Sequence, residues 1–290
     1  MGGDIVSGLL AIHYETLELP ALFLDIGTNG EMVLFLDNQI VATSTAAGPC
    51  FEGVTISSGM RASVGAIEHV RLGEELFATV HPHLNLPPPL AGGVRGGGER
   101  LPLSFDVIGG GKPRGICGSG LVEAVSELVR VGLVSPRGRL QDREGNEISE
   151  KYKKYLFVKN GKRYFQLSDG VAISQEDIRQ VQLAKAAIRA GVEILLTTCN
   201  IKPEELKTVI IAGAFGYHLK EESLFRTGFF PPLKNARILY VGNSSLEGAV
   251  RMLLNKELIS KAVHIAKTTQ VLELSQIPEF EAVFVREMHF

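Results

Sequence analysis

The stretch Leu22-Phe23-Leu24-Asp25-Ile26-Gly27-Thr28-Asn29-Gly30-Glu31 decides the fold. Its apolar start reads as a buried strand that delivers the Asp25 carboxylate to its end. The residues that follow carry little bulk, so backbone amides at Gly27, Thr28, Asn29 and Gly30 can face a phosphate and form an anion-binding concavity. Asp25 can hold a magnesium ion through water, and Glu31 completes the same phosphate and magnesium site. The competing reading is a tight hairpin whose glycines only satisfy turn geometry and whose Asp25 caps the turn.

Around this turn the sequence predicts a meander. "ALFLDIG", "EMVLFL" and "QIVATST" are three strands, joined by "GTNG" and by Asp37-Asn38. An amphipathic helix, "GGDIVSGLLAIHYETLEL", precedes them and starts almost at residue 1. The expectation is that this helix, residues 1–20, continues from an upstream region, and that residues 21–290 form one domain. From Gly59 to Val70 small and apolar residues recur at helical spacing, and "ELFATV" is a short strand. Residues 81–115 collect proline and glycine and read as loop. Ser119 caps a helix through Leu121, Val125 and Leu128 that stops at Gly132. Residues 135–172 form a polar surface insertion with a hairpin turn at Asn160-Gly161.

Ser174 and Asp177 form a capping box ahead of the longest amphipathic helix. Two strand-loop-helix units follow, "TVIIAGAFG" leading to Tyr217–Phe225, and "RILYVGNSSLEGAVRMLL". "VLELS" and "FEAVFVREMHF" read as a final strand pair. Strands that alternate with helices predict an α/β domain with a mixed, partly parallel sheet.

In the first of these units Gly213-Ala214-Phe215-Gly216 ends an apolar strand in small residues, which lets a base or ribose approach the backbone. Ordinary strand-to-helix packing explains the same residues equally well. Two weaker candidates sit at helix starts, Gly118-Ser119-Gly120 and Gly242-Asn243-Ser244-Ser245, with Asn243 and Ser244 the foremost of the second. Either can present amides to an anion or simply cap a helix. Glu52 and Arg61, in a stretch rich in small residues, are further candidates for function or for plain solvated charges.

Composition bounds the function. The 290 residues are 45% hydrophobic and 21% charged, enough for a sizeable core. With 30 basic and 32 acidic residues the net charge is -2, which excludes the electrostatic footprint of a nucleic-acid or anionic-membrane partner. No apolar run approaches the roughly 18 residues of a membrane span. Cys50, Cys117 and Cys199 match no zinc or iron–sulfur spacing and suit a reducing compartment, so the expected location is the cytoplasm. His81, His83 and His218 form no ligand spacing. No GxxxxGK[ST], GxSxG or HExxH occurs.

Together DIGTNGE, AAGPCFEG with GMRASVGAI, ICGSGL, DIRQVQLAKAAIRAG, AGAFG and VGNSSLEGA resemble, in order, the C-terminal domain of the reductive activators of corrinoid enzymes. The likeness runs from residue 3 to the end. It implies a ribonuclease-H-like domain of the acetate-and-sugar-kinase, chaperone and actin superfamily. It also implies ATP and magnesium as ligands, with Asp25 to Glu31 as the second phosphate motif and Gly213 to Gly216 as the adenosine motif. The activity implied is the ATP-driven return of a cobalt(II) corrinoid to cobalt(I), in a corrinoid protein or corrinoid methyltransferase system. The first phosphate motif and the iron–sulfur cluster are then expected only in an upstream region, and this chain alone is expected to be inactive. The phosphate-type turns by themselves also admit a small-molecule kinase, and the missing first motif admits a non-catalytic interaction or dimerisation module. A homodimer is left open.

Overall fold

The computed structural model describes residues 2–73, 102–144, 149–213 and 219–290. In chain order it holds α1 (Gly3–Ala11), then β1 (Ala21–Ile26), β2 (Asn29–Phe35) and β3 (Ile40–Ala46). After these come β4 (Ala66–Leu72), β5 (Leu103–Val107), β6 (Gly115–Ile116), α2 (Gly118–Arg130) and α3 (Glu150–Lys153). The chain continues through β7 (Leu156–Lys159), β8 (Lys162–Ser168), β9 (Val171–Ser174) and α4 (Gln175–Thr198). It ends with β10 (Thr208–Ala212), α5 (Glu221–Thr227), β11 (Arg237–Gly242), α6 (Ser244–Leu254), α7 (Glu257–Thr268), β12 (Gln270–Val271) and α8 (Glu279–Arg286). Two compact units result. One takes the described residues of Met1–Gly48, Leu183–Leu219 and Gly228–Met288, and the other those of Pro49–Gln182, Lys220–Thr227 and His289–Phe290.

In the first unit β1 is buried along its length except at Asp25, as an apolar run covered on both faces must be. It pairs antiparallel with β2 and parallel with β10. The sheet order is β11-β10-β1-β2-β3-β12, with β2 the antiparallel member. Alternation along each strand sorts the side chains onto two faces. Phe23 on β1 and Val33 and Phe35 on β2 join Ile5 and Leu9 of α1 and Ile265 of α7 in one core. On β2, a Cβ at Gly30 would lie 3.0 Å from Ile188 of α4, and one at Gly191 would lie 2.7 Å from Met32, so the other face packs on α4. α1 crosses α6 at close range: a Cβ at Gly248 would lie 1.8 Å from the Ser7 carbonyl oxygen.

The second unit contains two three-stranded sheets, β5-β4-β6 and β7-β8-β9. β6 pairs with β4 only at Ala66 and Ile67. Beyond them two buried carboxylates of α2 take over: Val70 N–H donates to Glu123 Oε2 at 3.3 Å and Leu72 N–H to Glu127 Oε2 at 2.8 Å. Lys220 and His69 bind Glu123 at 3.0 and 2.8 Å, and Arg130 binds Glu127 at 2.7 Å. Burial alone would raise the Glu127 pKa, but the bonds to Arg130 and the Leu72 amide hold it below the usual carboxylate range.

The meander, the capping box and the Asn160-Gly161 turn are as expected. Ser174 N–H donates to Asp177 Oδ2 at 2.8 Å, and Asp177 N–H to Ser174 Oγ at 3.1 Å. Asn160 and Gly161 have φ of 51° and 74°, the left-handed pair that a two-residue hairpin uses.

Other expectations are corrected. The helical spacing from Gly59 to Val70 forms no helix: residues 59–65 are irregular, with bend and turn at 62–65, and 66–72 are a strand, because the α2 carboxylates and β5 satisfy an extended backbone there. Within 81–115 the described part holds β5 and β6 as well as loop; residues 74–101, with "ELFATV", His81 and His83, lie outside the described residues. Ser119 is the second residue of α2, whose N-cap is Cys117. The closing strand pair is β12 followed by helix α8, because Phe280, Val283 and Phe284 recur at helical spacing and pack on Ala190, Ile194 and Leu274. α1 also stops at Ala11, earlier than expected, and α7 is an additional helix. Among the described residues no helix is long and apolar enough to cross a membrane.

Gly248→Val places a branched side chain where Ser7 carbonyl stands. Denaturant unfolding is expected to show a loss of about 1–3 kcal/mol, the usual cost of overpacking a tight contact.

Candidate functional site

Three parallel strands end side by side. The register sets Asp25 of β1 opposite Ala212 of β10, and Ala212 opposite Gly242 of β11. In open α/β sheets the carboxyl ends of parallel strands are where ligands bind. Gly213 follows Ala212 at φ 98°, donates its N–H to the Gly242 carbonyl at 2.9 Å, and has no room for a side chain. A Cβ there would lie 2.7 Å from the Ile26 carbonyl oxygen and 2.9 Å from Asp25 Oδ1. Ala214, Phe215 and Gly216, and His218, lie outside the described residues.

The turn after β1 closes at Thr28, with Gly27 N–H donating to the Asn29 carbonyl at 3.0 Å and Gly48 N–H to the Thr28 carbonyl at 2.8 Å. Thr28 and Asn29 are exposed and Gly27 is half-buried, so the tip is open. Gly30 is buried, and its lack of a side chain serves packing against Ile188 and Thr45.

Asp25 and Glu31 are direct cross-strand partners and share one face of the sheet, the face that carries Phe23 and Val33 toward α1. Burial raises the pKa of Asp25; the Ser245 hydroxyl opposes this and the charge of Asp4 adds to it. Glu31 is pushed to about 7, first by burial and then by the charges of Asp4 and Asp25, with a partial offset from bonds to its own backbone and to Asn29. The Ser245 Oγ lies 3.3 Å from Asp25 Oδ2 and 3.0 Å from the Asp4 carbonyl oxygen.

Asp4 is not among the candidates that the sequence offers, whereas Ser245 stands in the weaker Gly242-Asn243-Ser244-Ser245 group. Asp4 shows there only as an acidic residue in a first helical turn. Asn243 does cap α6, with Oδ1 accepting from Leu246 N–H at 3.0 Å, and Ser244 is buried beside Gly8. In the second unit, a Cβ at Gly120 would lie 2.3 Å from the Ile67 carbonyl oxygen, and buried Ser119 meets Cys117 Sγ at 3.2 Å. Burial raises the Cys117 thiol and pushes Cys50 up to about 12, so both stay protonated at neutral pH.

A magnesium-bound nucleotide fits this donor set. Two carboxylates whose proton affinity is raised by burial and by neighbouring negative charge, Asp4 for both and Asp25 for Glu31, gain from a nearby cation, and the open turn beside them offers backbone amides. Among the described residues no group of three or more His, Cys, Asp or Glu is placed to cage a metal. Magnesium does not need one, since it keeps waters and binds through one or two carboxylates plus phosphates.

Residues 20–290 match the family model described as the C-terminal domain of RACo, the ASKHA domain. The chain belongs to that family. It is 30% identical over 298 residues to the corrinoid activation enzyme RamQ of Eubacterium limosum, a match that takes in 100% of this chain and 46% of the relative. It is 28% identical over 299 residues to the [Co(II) methylated amine-specific corrinoid protein] reductase of Methanosarcina barkeri, with 100% of this chain and 49% of that protein covered. Its fold is similar to a solved reductive activator for corrinoid, iron–sulfur protein, with TM-score 0.83 and 34% identity over 100% of this chain and 42% of that one. The chain thus spans about half the length of the relatives it matches. The family match and the mixed sheet agree with the ribonuclease-H-like α/β domain expected from sequence.

The raised pKa of Glu31 has a sign. Between about 4.5 and about 7 the folded state binds the proton that the unfolded state has released, so stability contributed by the protonated form is lost as pH rises through that window. Urea titrations are expected to show Glu31→Gln flattening the fall in stability across it, whereas an unchanged slope places the titration elsewhere.

Proposed function

We propose that this chain is the nucleotide-binding part of a cytoplasmic protein that uses ATP to drive the reductive reactivation of cobalt(II) corrinoid in a partner corrinoid protein or methyltransferase system. The observation that carries the reading is the placing of Asp25 at the end of β1, beside Gly213 after parallel β10 and opposite Glu31 at the start of antiparallel β2. Membership of a family whose relatives are named for corrinoid activation supports it.

On this reading Asp25 and Glu31 hold magnesium through water, and the amides of Thr28 and Asn29 at the open tip face the phosphates, while the Gly27 N–H, which the sequence also offered to a phosphate, is spent on the Asn29 carbonyl and closes the turn. Gly30 serves the same turn by letting β2 settle on α4. Gly213 and the small residues after it receive the adenosine. The bound nucleotide supplies binding and hydrolysis free energy. Glu31 must give up its proton to hold a cation, so magnesium–nucleotide affinity rises with pH up to about 7.

The chain's part in the redox step is coupling. It shifts a partner's equilibrium only by as much as its two nucleotide states differ in affinity for the partner's two cobalt states. Electrons come, on this reading, from an iron–sulfur centre in the other half of the longer protein.

Calorimetry on the full-length protein tests the nucleotide claim. Asp25→Asn is expected to weaken magnesium–ATP binding about ten- to a hundredfold, the worth of roughly 1.4–3 kcal/mol for a charged contact. It should also slow ATP-dependent cobalt(I) formation, followed by visible absorbance. No heat with nucleotide in the unmutated protein overturns the reading.

A further inference from the structure

We propose that the outward face of α6 and α7 is the seat of the upstream half that longer members of this family carry. The face is apolar where a free helix surface is polar. On α6, Leu246, Val250, Leu253 and Leu254 recur at i, i+4, i+7 and i+8, and all are exposed, Leu253 at 84%. On the adjoining α7, Ile259 and Val263 continue the pattern one turn apart. Single exposed apolar residues are ordinary, but a stripe of this regularity on two neighbouring helices marks an interaction surface.

The occupant follows from where a preceding segment joins such a domain. The family description places the matched part at the C-terminus, and the matched relatives are about twice as long. In such proteins the preceding chain enters at α1. The start of α1 is fixed to the start of α6: the Ser245 hydroxyl reaches the Asp4 carbonyl at 3.0 Å, and the Ser7 hydroxyl donates to the Ser245 carbonyl at 2.7 Å. The stripe begins at the next residue, Leu246. A folded segment attached there is held within a few residues of the apolar face, at a high effective concentration that a separate partner lacks. The proposal is independent of whether the strand ends bind nucleotide.

The test uses the full polypeptide encoded by the native reading frame, with Leu253→Cys, Val263→Cys and, as an exposed control in the other unit, Val158→Cys. Maleimide labelling at each position is followed by peptide mass mapping, which separates these thiols from the native cysteines. The expected result is loss of labelling at 253 and 263, unchanged on dilution, with 158 labelling freely. A crosslinker placed at 253 should then capture residues that precede α1. Protection that disappears on dilution means a second copy covers the face, and overturns the proposal. Equal labelling at all three positions overturns it, as does a reading frame with no residues ahead of this chain.

Discussion

β1 can satisfy its backbone only by pairing on both edges, antiparallel with β2 and parallel with a strand that lies far along the chain. The local pairing forms a hairpin on its own terms. The parallel pairing has to close a long loop, and it is worth that entropic cost because β10 is then buried throughout and β1 everywhere but at Asp25. The site depends on it directly. Without the register of Asp25 on Ala212, the first strand would end in an isolated carboxylate and the glycine after β10 would face nothing.

The same packing makes the site electrostatically uncomfortable. Asp25 and Glu31 project on one face of neighbouring strands because the pleat leaves them no alternative, and α1 adds the charge of Asp4 to both. A stable fold would usually place a cation or an apolar residue there. Keeping carboxylates at such a position costs stability in the charged form, and departures from locally consistent design are concentrated where a ligand relieves them. The second unit shows the contrast. Glu123 and Glu127 are more deeply buried, yet each accepts a strand amide and a basic side chain, so their charges complete a structure.

What the sequence made legible follows from range. The Asp25 hairpin, the Ser174–Asp177 capping box and the Asn160-Gly161 turn are encoded by neighbours within a few residues, and each was readable. β4 was misread as helix because its extended state is enforced by α2 carboxylates more than fifty positions away. α8 was misread as strand because a short apolar run with phenylalanine and valine suits both periods until its packing partners are known. Asp4 escaped for the same reason as β4, and Ser245 showed only as the end of a weak helix-start group, because the role of each comes from partners at the far end of the chain.

Those two residues change how the opening helix is understood. From sequence it reads as the end of something upstream. In the fold, Gly248 lies against the Ser7 carbonyl, Ser7 holds the Ser245 backbone, and Ser245 touches Asp25. A contiguous chain of contacts conducts a signal only if one of its elements has two seats of similar free energy. The α1–α6 crossing, with no space even for a Cβ at Gly248, gives α1 one seat and makes the chain of contacts stiff. α1 therefore sets the position and the charge environment of Asp25, and belongs to the site as fully as the strand that carries it.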